Sequence, residues 1–93
     1  VPAALAHAEL AMSDVSLHEV NEAFSVVALA NAQILNVDIN QVNQKGGAVS
    51  LGHPIGMSGA RIVGSLAMQL EAVGVASICN GGGGASAIVL TKL

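Results

Sequence analysis

Three side chains in this sequence are equipped for chemistry: Asn21, His53 and Cys79. Histidine titrates near neutral pH, so it can both take and give a proton. A thiol beside an imidazole forms a thiolate–imidazole couple, which activates a sulfur as nucleophile or base. His53 lies in Gly46-Gly47-Ala48-Val49-Ser50-Leu51-Gly52-His53-Pro54-Ile55-Gly56-Met57-Ser58-Gly59-Ala60-Arg61. A loop this rich in glycine gives up backbone entropy, which a close approach to a ligand can offset. Pro54 restricts His53 to an extended backbone, so the imidazole projects from a stiff loop. Cys79 is followed by Asn80-Gly81-Gly82-Gly83-Gly84, a turn whose backbone N–H groups can face an oxyanion. Each feature also has a plainer reading. The loop can be a long turn, Asn21 a helix N-cap, Cys79 a core residue, and the glycines a hairpin turn.

Residues 2–12 read as a helix, with Pro2 suited to its first turn and Leu5, Glu9 and Met12 at helical spacing. His7 belongs to its surface. Val15 to Asn21 reads as a short strand, with Val15 and Leu17 on one face and His18, given no role, on the other. Glu22 to Leu35 reads as a helix with almost no polar face. A helix apolar all round is buried on all sides. Asn36 to Gln44 is a polar connection. Ser58 to Val73 reads as an amphipathic helix, with Ile62, Val63, Leu66, Ala67, Leu70 and Val73 in one stripe. Arg61, Ser65, Gln69 and Glu71 lie opposite, and Gly74 is the expected stop. Val75 to Cys79 reads as a buried strand and Ala85 to Leu93 as a last one. The order predicts a layered α/β domain. Asn21 and Cys79 then both end strands, where α/β folds bind their ligands.

Composition excludes several classes. The net charge is −3, and Lys45, Arg61 and Lys92 are the only strong bases. A nucleic-acid surface needs clustered Lys or Arg and often aromatic platforms, yet Phe24 is the sole aromatic residue. The longest apolar run, Val26 to Ala30, is far short of the ~20 residues of a membrane span. One cysteine excludes an intrachain disulfide. A Walker A loop is excluded too: Gly47 to Gly52 has its spacing, but His53-Pro54 stands where Lys-Ser/Thr is required. Hydrophobic residues make up 53% of the 93 and charged ones 10%, against roughly 25% charged in ordinary domains. A chain this short buries only about 60–65% of its unfolded surface. The expectation is a segment of a larger body, and Val1 as first residue fits it.

Taken together, Asn21-Glu22-Ala23-Phe24, Gly46-Gly47-Ala48 through Arg61, and Cys79-Asn80-Gly81-Gly82-Gly83 resemble the three C-terminal signature blocks of the thiolases. Their order and spacing are compatible with that family along essentially the whole chain. The Met57-Ser58-Gly59 and Cys79 to Ser86 variants are most similar to its mitochondrial acetyl-CoA acetyltransferase branch. The resemblance implies the C-terminal half of the thiolase fold, α/β/α layers with a mixed sheet and a buried central helix. Residues 1–93 would then be part of a longer chain.

It also implies a reaction: Claisen condensation of two acetyl-CoA to acetoacetyl-CoA, and the reverse thiolysis. His53 matches the histidine that takes the proton of a nucleophilic cysteine. Cys79 matches the second cysteine, which removes the acceptor's α-proton. Asn21 matches the asparagine that holds a water at the enolate oxygen, and Gly81 a backbone donor of an oxyanion hole. Val49 matches a backbone carbonyl that touches potassium in potassium-activated members. No other cofactor is implied beyond the coenzyme A thioester substrates. The implied partners are an N-terminal thiolase domain, which owns the nucleophile, and further copies in a tetramer. The implied compartment is mitochondrial, with cytoplasmic as the alternative. The connection from Leu70 to Cys79 is shorter than in the nearest relatives. Alternatives are a fragment or degenerate paralogue serving assembly, or a thiolase of longer 3-ketoacyl-CoA specificity. Ketoacyl and hydroxymethylglutaryl-CoA synthases carry His or Glu where Cys79 stands.

Overall fold

β1 (Leu17–Val20), β2 (Val73–Cys79) and β3 (Ala85–Thr91) form one sheet in that order in a computed structural model that describes residues 1–93. β1 runs parallel to β2, and β2 pairs antiparallel with β3 across the Asn80–Gly84 turn. The sheet is therefore mixed, as expected. The parallel pair needs a long crossover, and it contains α2 (Ser25–Leu35), α3 (Ala48–Leu51) and α4 (Ile55–Gln69). α1 (Pro2–His7) precedes the sheet. None of these helices is long and apolar enough to cross a membrane.

Alternation along the strands sends side chains to two covered faces. Leu17 and Ala76 meet Ile62, Leu66 and Leu70 of the α4 layer. Val75 points the other way, into a cluster with Leu5 and Val15. Val20 packs with Ala28 and Ala32 of α2 and with Val42. Ile62, Leu66 and Val75 are the most deeply buried apolar side chains, and full burial of such a side chain contributes about 1.5–3 kcal/mol. The layering is α/β/α.

Several expected boundaries move. α1 stops at His7, because Glu9 takes a left-handed φ of 57° and the chain turns. A 3-10 turn then spans Met12–Asp14, and Asp14 Oδ2 accepts the Ala11 N–H at 2.8 Å. The first strand shortens to Leu17–Val20. It does not alternate between core and solvent, since all four of its residues are buried. His18, expected on a polar face, is buried, and loss of water lowers its pKa below the ordinary histidine value.

α2 begins at Ser25, not Glu22, and ends on Asn36 in the left-handed region, which asparagine tolerates. α4 starts at Ile55 instead of Ser58 and ends at Gln69 instead of Val73. Gly74, expected as a helix stop, lies inside β2. A Cβ there would come within 2.6 Å of Leu66 Cδ1 and 2.7 Å of Leu70 Cδ1. Glycine is used at this position for close helix-to-sheet packing. β3 ends at Thr91 rather than Leu93.

The helix expected to be buried on all sides is half covered within this chain. Ala28 and Ala32 are its buried residues, whereas Val26, Leu29 and Ile34 are 61%, 59% and 79% exposed. The polar side of α4 also differs from expectation. Arg61 Nη1 lies 3.6 Å from Glu19 Oε2, and Gln69 Nε2 donates to Glu19 Oε1 at 3.2 Å. Glu19 is fully buried on β1. Its pKa is raised, first by burial and secondarily by the charge of Glu22, with the Gln69 hydrogen bond and the Arg61 charge opposing. Arg61 and Gln69 thus turn inward to meet a buried carboxylate.

Candidate active site

The C-terminal ends of two adjacent parallel strands carry Asn21 and Cys79. Val20 is in register with Ser77, and the Asn21 N–H donates to Ser77 O at 2.9 Å. Cys79 closes the same strand. Asn21 and Cys79 line one cavity of about 620 Å³, bounded by α1, α2 and β3. This is the sheet end at which α/β folds bind ligands. Asn21 is not the helix cap that local pattern allowed, because Phe24 holds that position.

His53 arrives from a separate element. α3 ends on Gly52, whose φ of 93° favours glycine, and the extended Pro54 caps α4 immediately afterwards. Between these two fixed residues the imidazole reaches Asn21. The Asn21 Nδ2 and His53 Nε2 atoms are 3.4 Å apart. On its other side, His53 Nδ1 is 2.5 Å from Ser58 Oγ. Ser58 is buried and its hydroxyl donates to Pro54 O at 3.1 Å. Ser58 Oγ thus holds the ring through Nδ1, which leaves Nε2 facing Asn21.

Ser58 is a residue that sequence reasoning left without a role. Its position one helical turn after Pro54 was the available signal. Ser58→Ala is expected to lower turnover of the complete enzyme on the order of 10-fold, because the ring loses the side chain that holds its Nδ1. Turnover against pH would check it, and an unchanged profile and rate would remove Ser58 from the site.

Asn21 is 1% exposed, and its Oδ1 has no partner in the chain. A buried acceptor of this kind is suited to a donor brought by a ligand or by water. In the Asn80–Gly84 turn, Asn80 Oδ1 accepts both the Gly82 and the Gly84 N–H at 3.0 Å. Gly81 N–H has no such partner and remains free to donate. Cys79 is a free, exposed thiol at the start of this turn. No group of three or more His, Cys, Asp and Glu side chains is arranged to hold a metal. The Val49 carbonyl, in α3, accepts no backbone hydrogen bond from the loop that follows.

Among sequence profiles, "Thiolase, C-terminal domain" matches residues 1–92. The chain belongs to the thiolase family. As a thiolase C-terminal domain, it is 59% identical to acetyl-CoA acetyltransferase A, mitochondrial, of Xenopus laevis, over 100% of this chain and 23% of that protein. It is 61% identical to the mitochondrial acetyl-CoA acetyltransferase of Rattus norvegicus, again over 100% of this chain and 22% of the relative. The domain thus spans less than a quarter of these relatives. Among solved structures, the Acat5 thiolase of Ascaris suum in complex with coenzyme A superposes with a TM-score of 0.92. Identity there is 53%, covering 96% of this chain and 24% of that one. The peroxisomal 3-ketoacyl-CoA thiolase of Saccharomyces cerevisiae, a five-layered α-β-α-β-α structure, gives 0.93 at 39% identity, over 99% of this chain and 27% of its own. The thiolase fold expected from the signature blocks is the fold observed.

Proposed function

We propose that this domain supplies the acid–base and oxyanion groups of a mitochondrial acetyl-CoA acetyltransferase, whose nucleophilic cysteine comes from the rest of the enzyme. The observation that carries the reading is the Asn21–His53–Ser58 line, whose Asn21 shares a cavity with Cys79 of the neighbouring strand. In the first half-reaction, His53 Nε2 takes the proton of the nucleophilic thiol. The thiolate attacks acetyl-CoA, and the departing coenzyme A sulfur recovers the proton. In the second, the Cys79 thiolate removes an α-proton from a second acetyl-CoA. The enolate oxygen rests on His53 and on a water held by Asn21. Its carbon attacks the acyl-enzyme carbonyl, and the resulting oxyanion accepts from Gly81 N–H. Collapse releases acetoacetyl-CoA and expels the enzyme thiolate, which takes up the proton held by Cys79 and so restores both cysteines. Thiolysis is the same path reversed.

The identity of about 60% to mitochondrial acetyl-CoA acetyltransferases, against 39% to the 3-ketoacyl-CoA thiolase, supports a short acyl chain. The names of the relatives support the mitochondrial compartment. The N-terminal thiolase domain would cover the exposed side of α2, and the complete enzyme would assemble as a homotetramer. Potassium needs oxygen donors, and the free carbonyl of Val49 is the contact this segment would offer. No other cofactor is required.

The test separates domain from enzyme. The 93 residues alone are expected to give no thiolysis of acetoacetyl-CoA with coenzyme A, and a chain that also includes the N-terminal domain is expected to give it. Turnover by the 93-residue chain that disappears on Cys79→Ala would overturn the assignment of the nucleophile to the missing part.

A further inference from the structure

We propose that Glu22 is a positioning residue: with Asn43 it forms a clasp that sets where the His53 loop meets Asn21. The proposal rests on the thiolase reading above and concerns groups to which that reading gives no task.

The clasp begins at the outer edge of β1, which has no strand beside it. Asn43 stands in for one. Its backbone takes a left-handed φ of 49°, and its own N–H donates to His18 O at 2.9 Å. Its side-chain Oδ1 accepts the Val20 N–H at 2.8 Å, and its Nδ2 donates to Val20 O at 2.8 Å. The amide thus pairs with both polar groups of the residue before Asn21. The second hydrogen of Nδ2 goes to Glu22 Oε1 at 3.0 Å. Glu22 Oε2 then accepts the Val49 N–H at 2.8 Å. Every hydrogen of the amide and both carboxylate oxygens are used.

The carboxylate lies directly against the loop backbone. A Cβ on Gly47 would come within 2.3 Å of Glu22 Cδ and 2.4 and 2.5 Å of its two oxygens. Any larger residue at 47 would evict the carboxylate, so the glycine and the glutamate are a matched pair. The clasp therefore joins the residue after Asn21 to α3, the element that delivers His53. Across it, Asn21 and His53 meet at 3.4 Å, a long contact for a hydrogen bond. Such a contact does not hold the loop by itself. A displacement of about 1 Å at such a site can reduce turnover on the order of 10²-fold.

The experiment uses the complete enzyme with Glu22→Ala, Gly47→Ala and both together. Each single change is expected to lower kcat about 10-fold or more, with KM for acetoacetyl-CoA and the melting temperature little changed, because the loop is displaced without losing its fold. The double variant is expected to be no worse than Glu22→Ala, since removing the carboxylate makes room for the methyl; coupled residues behave non-additively. Losses that multiply, a wild-type kcat in either single variant, or a fall in activity that merely follows loss of folded protein would overturn the clasp. A readout independent of turnover is the rate at which diethyl pyrocarbonate modifies His53, followed by peptide mass spectrometry. Glu22→Ala and Gly47→Ala should each raise it several-fold, and an unchanged rate would also overturn the clasp. If instead the wild-type enzyme does not turn over acetoacetyl-CoA while the modification rates respond as expected, the function fails and the clasp stands.

Discussion

Cys79→Ala in the complete enzyme is expected to reduce both condensation and thiolysis by at least ~10²-fold, the scale of lost general acid–base work. The loss should not be uniform along the path. In the proposed mechanism acylation of the nucleophilic cysteine uses His53, so acetyl-CoA should still release one equivalent of coenzyme A per site. Carbon–carbon bond formation needs the α-proton removed, and that step should stall. Rapid quench with labelled acetyl-CoA separates the two. An acyl-enzyme that forms normally and waits is the expected signature. A wild-type rate of acetoacetyl-CoA formation would take the base role from Cys79. The geometry gives the thiol two assets for this work: it is exposed at the end of β2, and it adjoins the glycine turn, where Asn80 Oδ1 leaves the Gly81 N–H free.

His53→Ala is expected to lose at least ~10²-fold as well, but at both half-reactions, because the proposed mechanism has one imidazole serve the nucleophile and then the enolate oxygen. Burst release of coenzyme A should disappear together with turnover. That difference in burst, and not the size of either loss, distinguishes the two residues. His53→Gln is the informative companion. It keeps an amide able to donate toward the enolate oxygen but cannot take a proton from a thiol, so it should recover little of the burst. A full burst in either His53 variant would remove the imidazole from the acylation step.

The three candidate residues were legible because each sits at an irregular joint in the sequence. Asn21 closes an apolar run, His53 is locked between Gly52 and Pro54, and Cys79 precedes four glycines. The contact of Asn21 with His53, and the cavity Asn21 shares with Cys79, were not readable as distances. What escaped was the polar material that points inward. β1 is covered on both faces, so its alternating pattern carries no solvent face, and His18 and Glu19 look like surface residues. Arg61 and Gln69 keep helical spacing on the polar side of α4, yet that side faces Glu19. Periodicity tells which residues share a face but not what lies opposite it. Ser58, Glu22 and Asn43 were missed for a related reason. Each acts through hydrogen bonds that sequence spacing does not reveal, made to residues distant in sequence or from an unanticipated conformation such as the left-handed backbone of Asn43. The late end expected for α4 has its own cause. Gly74 resembles a helix stop in sequence, whereas its absent side chain serves packing within β2.

That glycine also acts at a distance. α4 begins just after His53, and β2 ends at Cys79. The two elements are pressed together where Leu66 and Leu70 sit over Gly74, and Leu66 is fully buried. A side chain at this position would push on both leucines, so the gap bears on the height of the helix above the strand. Like the fulcrum of a pair of tongs, that gap governs how far apart the two working tips stand, although it touches neither. Selection for the spacing of imidazole and thiol should fall on a core position that no substrate ever reaches.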